Sequence, residues 1–378
     1  MYIALLGRET ELVLAELATT SVGLKPLTKT TALFESCSKP FFHLGGITKV
    51  ARVVQELPIT KQLPIAQIVE YLAKPENIKR KSLGLSFEDI TLGRKDYLAA
   101  TLEVKKQLQR QGRSTRIVIP KSGVALNAAA SIHNRLLDKG IELLCVAAKG
   151  HWYLSEVEWV QDIEAYTKRD SGRPARNMDI GMVPPKLAQM LVNLAQPAST
   201  DIVIDPFCGP GTILAEATVM GYQTIGLDND PRAVEAAKVN LEWLTEELQL
   251  SKKYRVSLAD AKSFEPPSSS YVIVTEGYLG PTSVAHVNSN EFDKSLTNIT
   301  TLYLSFLAKL QQIDNKPKRI VLCAPEWHFS SKTVALPIID QIRKMSYTID
   351  RFAPTGETSL LYRRADQLVA RRIYSLTN

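Results

Sequence analysis

The spacing of apolar and polar positions is most regular in the second half of the chain. "PPKLAQMLVNLA" keeps a helical spacing, with proline in its first turn. "DIVID" is a short apolar run that ends on an acid, and "TILAEATVMG" returns to the helical period. The alternation continues through "QTIGLD", "PRAVEAAKVNLEWL", "YRVSLAD", "YVIVTE", "SLTNITTLYLSFLAKLQQI", "RIVLCAP" and "ALPIIDQIRKM". Strands alternating with helices predict a doubly wound parallel sheet over 181–378, a Rossmann-like α/β domain. The tail "SLLYRRADQLVARRIYSLT" reads as two antiparallel edge strands added to that sheet.

The first half has a different pattern. "MYIALLG" and "TTALFES" read as strands, "TELVLAELATTSVG" as a helix closing on Gly23, and "ITKVARVVQEL" as a helix or a strand. Together they predict a small α+β unit over 1–60. A second α+β unit over 61–165 starts with the strand "KSLGLSFE" and the amphipathic helix "DYLAATLEVKKQLQRQG", which has a basic outer face and Gly112 beyond its end. "STRIVIP" is a strand and "NAAASIHNRLLDKG" a helix, and "IELLCVAA" and "HWYLSEVEWV" pair around "KG". The stretch 166–180 is polar, basic and broken by Gly and Pro, so it reads as a linker.

Charge sharpens this division. The net charge is +7, and residues 61–180 hold 20 Lys and Arg against 14 Asp and Glu. A basic excess concentrated in the middle of the chain fits a polyanion, of which nucleic acid is the commonest, or simply a solvated basic surface. In the linker the basic residues are Lys168, Arg169, Arg173 and Arg176, either solvated or part of a segment that contacts an RNA backbone or lies on the cofactor side. Cys37, Cys145, Cys208 and Cys323 are scattered singly, so neither a zinc site nor a disulfide framework is expected. The amino-terminal apolar run meets charge too early for a signal segment, and no run reaches membrane-span length. The expectation is a cytoplasmic protein with reduced thiols.

The chemistry concentrates in "IVIDPFCGPGT". Asp205 stands at the carboxyl edge of a buried strand, where open sheets bind ligands. Gly209 and Gly211 allow a tight turn and a close approach of backbone to ligand, and Thr212 is placed to cap the next helix. The third glycine of a dinucleotide fingerprint is absent, and an acid precedes the turn. That acid suits a ligand carrying a cationic amino group, such as the methionine moiety of S-adenosyl-L-methionine. Asp228 in "GLDND" ends the second strand, where a carboxylate can accept from both ribose hydroxyls. Helix capping at Pro231 falls instead to Asp230. Asp260 in "LADA" is either an acceptor for the adenine amine or an ordinary turn residue. The five histidines have no ligand spacing, and Trp327 in "APEWHF" either packs in the core or stacks a base at the substrate mouth.

With "RDSGRPARNMDIGMVPPKLAQMLVNLA" upstream and "DPFCGPGT", "GLDND" and "LADA" in place, the chain resembles the THUMP-domain tRNA guanosine N2-methyltransferases. "ALLGRETELVLAEL" and "YRRADQLVARRIYSL" extend the likeness to both ends, with 60–130 the weakest part. The resemblance implies a ferredoxin-like unit, an RNA-binding THUMP-like unit and a class I methyltransferase domain using S-adenosyl-L-methionine on tRNA or another structured RNA. It extends the cofactor set to Phe207, Asn229, Ala261 and Pro185, the last on a helix that packs beside the cofactor in that family. Eukaryotic members work with an activator subunit, and no feature of this sequence identifies one, nor an oligomeric state.

One segment departs from the family. Its members carry Asp/Asn-Pro-Pro-Tyr/Phe after the fourth strand. There, a side-chain oxygen and a rigid backbone carbonyl accept the two hydrogens of a poorly nucleophilic exocyclic amine. Here the loop is Thr275-Glu276-Gly277-Tyr278, without either proline. Glu276 supplies a carboxylate, Tyr278 a stacking face, and Gly277 adds freedom where rigidity is expected. Three functions follow: an RNA methyltransferase with a variant amine-methylating loop, an RNA-binding homologue or partner subunit that keeps the cofactor without turnover, or a DNA amino-methyltransferase.

Overall fold

The computed structural model spans residues 1–378 and is described for all of them except 177–181, 281–288, 330–331, 365–366 and the side chain of Ser289. Its chain falls into two compact units. The first comprises Met1–Thr10, Thr20–Phe42 and Ile47–Glu164, and the second Glu11–Thr19, His43–Gly46 and Ala165–Asn378.

The first unit contains β1 (Tyr2–Leu6), β2 (Ser21–Val22), β3 (Lys25–Pro26), β4 (Thr31–Phe34), β5 (Ser36–Cys37), β6 (Ile47–Pro58), β7 (Ser82–Glu88), β8 (Arg116–Val118), β9 (Gly140–Ala148) and β10 (His151–Val160). Eight of these make one sheet in the order β3-β4-β1-β6-β10-β9-β7-β8. The boundary expected near residue 60 is therefore bridged. "ITKVARVVQEL" is a strand, as its β-branched residues favour, and β6 pairs antiparallel with β10 through Leu57–Trp152 and Arg52–Glu156. Helices α2 (Ile65–Ala73) and α3 (Arg94–Arg110) bury Leu72, Tyr97 and Leu108 in a cluster with Leu83, Leu85 and Leu143 of the sheet. α4 (Ala128–His133) is shorter than its sequence suggested.

Helix α1 (Thr10–Thr20) contributes Glu11–Thr19 to the second unit. Its buried Glu16 accepts from the backbone N–H groups of Gly45 (2.8 Å) and Gly46 (2.9 Å) and from the Asn193 amide (2.8 Å). A Cβ on Gly45 would lie 2.1 Å from the Lys186 carbonyl, so only glycine fits there. Asn193 belongs to α6 (Pro185–Leu194), with Pro185 at its first position as expected. The stretch expected as a linker begins inside a helix, α5 (Ile163–Ser171), and residues 177–180 of that stretch lie outside the described residues.

The sheet of the second unit is built from β11 (Ile202–Asp205), β12 (Gln223–Asp228), β13 (Tyr254–Leu258), β14 (Tyr271–Glu276), β15 (Ile320–His328), β16 (Thr333–Ala335), β17 (Thr348–Ile349), β18 (Leu360–Tyr362) and β19 (Val369–Thr377). Its order is β13-β12-β11-β14-β15-β19-β17, with β16 on β15 and β18 on β19. The first five are parallel, and β19 runs antiparallel to β15. The predicted doubly wound sheet is present, with one correction. β19 is an interior strand between β15 and β17, because the tail folds back across the sheet instead of ending at its edge. Helices α7 (Thr212–Val219), α8 (Pro231–Glu247), α9 (Ser289–Gln311) and α10 (Ile339–Lys344) make the crossovers. Tyr303, Phe306 and Leu307 of α9 pack with Ile204, Ile273 and Leu322 of the sheet.

Candidate active site

The carboxyl ends of β11, β12 and β14 bring the expected residues together. Asp205 is 2% exposed. Its Oδ1 accepts from the Thr275 hydroxyl at 2.6 Å and from the Phe207 N–H at 3.1 Å. Burial, reinforced by the nearby Asp228 and Glu276 carboxylates, pushes its pKa up to about 7. The turn that follows is left-handed at Gly209 (φ +52°) and Gly211 (φ +84°). A Cβ at Gly209 would point into open space, while one at Gly211 would press on Ala237 at 3.2 Å. The turn is tied to the next strand, since the Gly209 N–H donates to Asp228 Oδ2 at 2.8 Å. Asp228 Oδ1 accepts from the Asp230 N–H at 2.9 Å. Asp230 caps α8 by accepting from the Arg232 N–H at 2.9 Å, which frees Asp228 from that task. Asn229 is exposed beside it. From α8, Asn240 donates to the Pro210 carbonyl at 3.0 Å and holds the turn from behind.

Several residues behave differently from the sequence reading. Thr212 does not cap α7. Gly211 occupies the cap, and the Thr212 hydroxyl accepts from the buried Arg173 guanidinium at 2.6 Å. Arg173 is therefore not a surface contact for RNA. Arg169 pairs with the buried Glu216 at 2.7 Å and lies over the Tyr166 ring, and Lys168 pairs with Glu247. Of the four linker cations only Arg176 is exposed without an ion-pair partner among the described residues. Phe207 packs edge-on against Phe306 with centroids 5.3 Å apart. Asp260 is exposed and caps a short turn through the Lys262 N–H (2.8 Å), with Ala261 buried beside it, so the turn role is realised and one carboxylate oxygen stays unused by that bond. Trp327 is fully packed inside β15 and offers no face to a base.

The loop after β14 is more constrained than its sequence suggests. Thr275 is turned inward to Asp205. Glu276 is almost buried, and Arg371 from the interior strand β19 donates to both of its oxygens, the second at 3.5 Å. Burial raises the Glu276 pKa and the Arg371 charge pulls it back down. Gly277 is not a source of freedom: a Cβ there would lie 2.6 Å from the Tyr303 ring and hydroxyl. The Tyr303 hydroxyl is fixed on the Cys323 carbonyl at 2.9 Å. Tyr278 is 55% exposed and borders a cleft of about 380 Å³ lined also by Lys294, Ser295 and Asn298 of α9. Pro281, the proline that follows this loop in the sequence, lies outside the described residues. Arg371 and Tyr303 are functional neighbours that motif reading missed. The one signal in the sequence is an arginine pair set inside the apolar strand "LVARRIYSL".

Comparison with known proteins agrees with this geometry. Residues 173–281 match a family model described as an RMKL-like methyltransferase domain. The tRNA (guanine(10)-N2)-dimethyltransferase of Methanocaldococcus jannaschii is 30% identical over 249 residues, which cover 59% of this chain and 69% of that one. The protein of the same name from Pyrococcus abyssi is 32% identical over 115 residues, 30% of this chain and 33% of that one. The crystal structure of TrmN from Thermus thermophilus superposes with a TM-score of 0.55 at 14% identity, over 100% of this chain and 99% of that one, and so shares the fold.

Proposed function

The chain belongs to the family of tRNA (guanine(10)-N2)-dimethyltransferases, and from that premise we propose that it methylates the exocyclic N2 of a guanosine in tRNA, with S-adenosyl-L-methionine as donor. The observation that carries the reading is the juxtaposition at one sheet edge of a glycine turn fastened to Asp228, the buried Asp205 and the exposed ring of Tyr278. The residues fit the cofactor. Gly209 leaves open a space that any side chain would fill. Burial and the nearby Asp228 and Glu276 carboxylates raise the Asp205 pKa, a cost that a cationic amino group of a ligand set against it would relieve. Asp228 spends one hydrogen bond per oxygen on the backbone and keeps acceptor capacity for ribose hydroxyls. Phe207, Ala261 and the amino-terminal end of α6 at Pro185 supply apolar wall, and Asp260 and Asn229 supply exposed polar groups beside it.

When bound, S-adenosyl-L-methionine supplies an electrophilic methyl on a sulfonium. The protein's part is positioning and charge. Tyr278 offers its ring to a base taken out of its stack. Glu276 accepts a hydrogen of the amine, turns the nitrogen lone pair toward the methyl and is placed to take the surplus proton. Thr275 holds Asp205. The basic excess of residues 61–180, including the exposed Arg94, Lys95, Lys106 and Arg110 of α3, serves phosphate contacts, and among the linker cations Arg176 is exposed for the same task. A tRNA substrate is in keeping with a cytoplasmic protein, and among the described residues no helix is long and apolar enough to cross a membrane.

The burial of Glu276 against Arg371 favours a second reading, a cofactor-binding homologue without turnover. Labelled S-adenosyl-L-methionine incubated with the protein and total tRNA, followed by nucleoside analysis, separates the two. N2-methylguanosine supports the enzyme, cofactor binding without transfer supports the second reading, and label in DNA alone points to an amino-methyltransferase of DNA.

A further inference from the structure

We infer that Arg371 is a positioning residue for Glu276: from the antiparallel strand β19 it aims the carboxylate and keeps it charged inside the sheet edge. The inference rests on the methyl-transfer reading for its kinetics but not for its electrostatics. Both partners are withdrawn from water, with side chains 9% (Glu276) and 5% (Arg371) exposed. A buried carboxylate with no cation beside it takes up a proton, and a protonated acid can no longer attract the hydrogens of an amine on both oxygens.

Among the described residues, the groups facing Glu276 leave this task to Arg371. From α9 comes the Tyr303 ring, with its hydroxyl held by the Cys323 carbonyl. From β15 comes the Cys323 thiol, and from β11 the Asp205 carboxylate. None of these three carries positive charge, and Asp205 opposes ionisation. Arg371 is held in turn by the Met182 carbonyl at 3.4 Å and lies 6.0 Å from the centre of the Tyr362 ring on β18. Its fork meets both carboxylate oxygens, which fixes the plane of the acid and leaves an acceptor site on each. β19 is interior to the sheet, so the cation arrives on a rigid element.

The test is a set of variants followed by two measurements. Arg371→Met should lower kcat at pH 7 by about 100-fold. The acid limb of its pH profile should move to higher pH, so that much of the rate returns in alkaline buffer, while cofactor affinity stays near wild type. Arg371→Lys should recover part of the rate. The double variant Glu276→Met, Arg371→Met replaces the pair by apolar groups, folds at least as well as Arg371→Met, and stays inactive at every pH. Recovery of turnover in the double variant, or an unmoved acid limb in Arg371→Met, would overturn the inference. Infrared difference spectra of the cofactor-free proteins decide the electrostatics even if the wild type transfers no methyl. At pH 7 Arg371→Met should show a protonated-carboxyl band in excess of the one that buried Asp205 gives the wild type, and this excess should vanish when Glu276→Gln is added. Absence of the excess from Arg371→Met sinks the inference without touching the assignment of function.

Discussion

At the scale of single residues, function and stability pull Asp205 in opposite directions. Its carboxyl binds a proton more tightly in the folded chain, near pH 7, than in the unfolded one, near pH ~4. Such a group favours folding at low pH, and that contribution is lost as pH rises from about 4 to 7. The ligand-free protein should therefore lose stability across this window. Asp205→Asn should raise the melting temperature above pH 7 while weakening cofactor binding by about 10- to 100-fold, the worth of a hydrogen bond to a charged group. Calorimetric titration and melting at pH 8 check both, and a variant that binds normally removes Asp205 from the site. Gly277 makes a complementary case. Adding a Cβ 2.6 Å from the Tyr303 ring must displace ring or loop, so Gly277→Ala should cost about 1–3 kcal/mol and depress turnover. Denaturant melts and transfer assays on the same preparation test it. Tyr303→Leu should relieve part of the stability loss.

At the scale of elements, α5 shows what a string of basic residues conceals. "YTKRDSGRPAR" has the composition of an RNA-contacting connector, yet Arg169 lies against the fully buried Glu216 and Arg173 against Thr212. Arg169→Met removes the partner of a buried charge and should destabilise the fold by about 3–5 kcal/mol. tRNA affinity measured well below the melting temperature should hardly change. The opposite result, normal stability with weakened RNA binding, would restore the surface reading. The episode also marks what was legible. The strand–turn–helix over 202–219 could be read because its signals are local: an apolar run, an acid, two glycines and a helical period. So could the cap at Asp230, a dipeptide matter. Glu276–Arg371 and Gly277–Tyr303 could not. Their partners are 95 and 26 residues apart in sequence, and the sheet order that sets β15 between β14 and β19, with α9 packed on that sheet, makes them neighbours. The missing prolines looked like lost rigidity because the side chains that replace them arrive from α9 and β19.

At the scale of the whole molecule, the methyltransferase sheet is not closed off by the segment that follows residue 165. Glu11–Thr19 and His43–Gly46 belong to the same compact unit as Ala165–Asn378. The link is specific. Glu16 satisfies two backbone N–H groups and the Asn193 amide in a fully buried position, and Leu12, Val13 and Leu17 are almost completely buried. Glu16→Ala leaves those donors without their acceptor, at a cost of about 1–3 kcal/mol for each one that water cannot reach. Truncation to 165–378 keeps every strand of the parallel sheet, the glycine turn and the Glu276 loop, but takes away α1 as well. Burying a Leu or Val side chain contributes about 1.5–3 kcal/mol, and a domain's net stability is only about 5–15 kcal/mol. The fragment should therefore give no cooperative thermal transition and no measurable cofactor binding, although it contains the whole motif set that identifies the site. Circular dichroism melts of the fragment and of the full chain decide this. A fragment that melts cooperatively at the full chain's temperature would show that the amino-terminal helix only rests on the second unit without completing it.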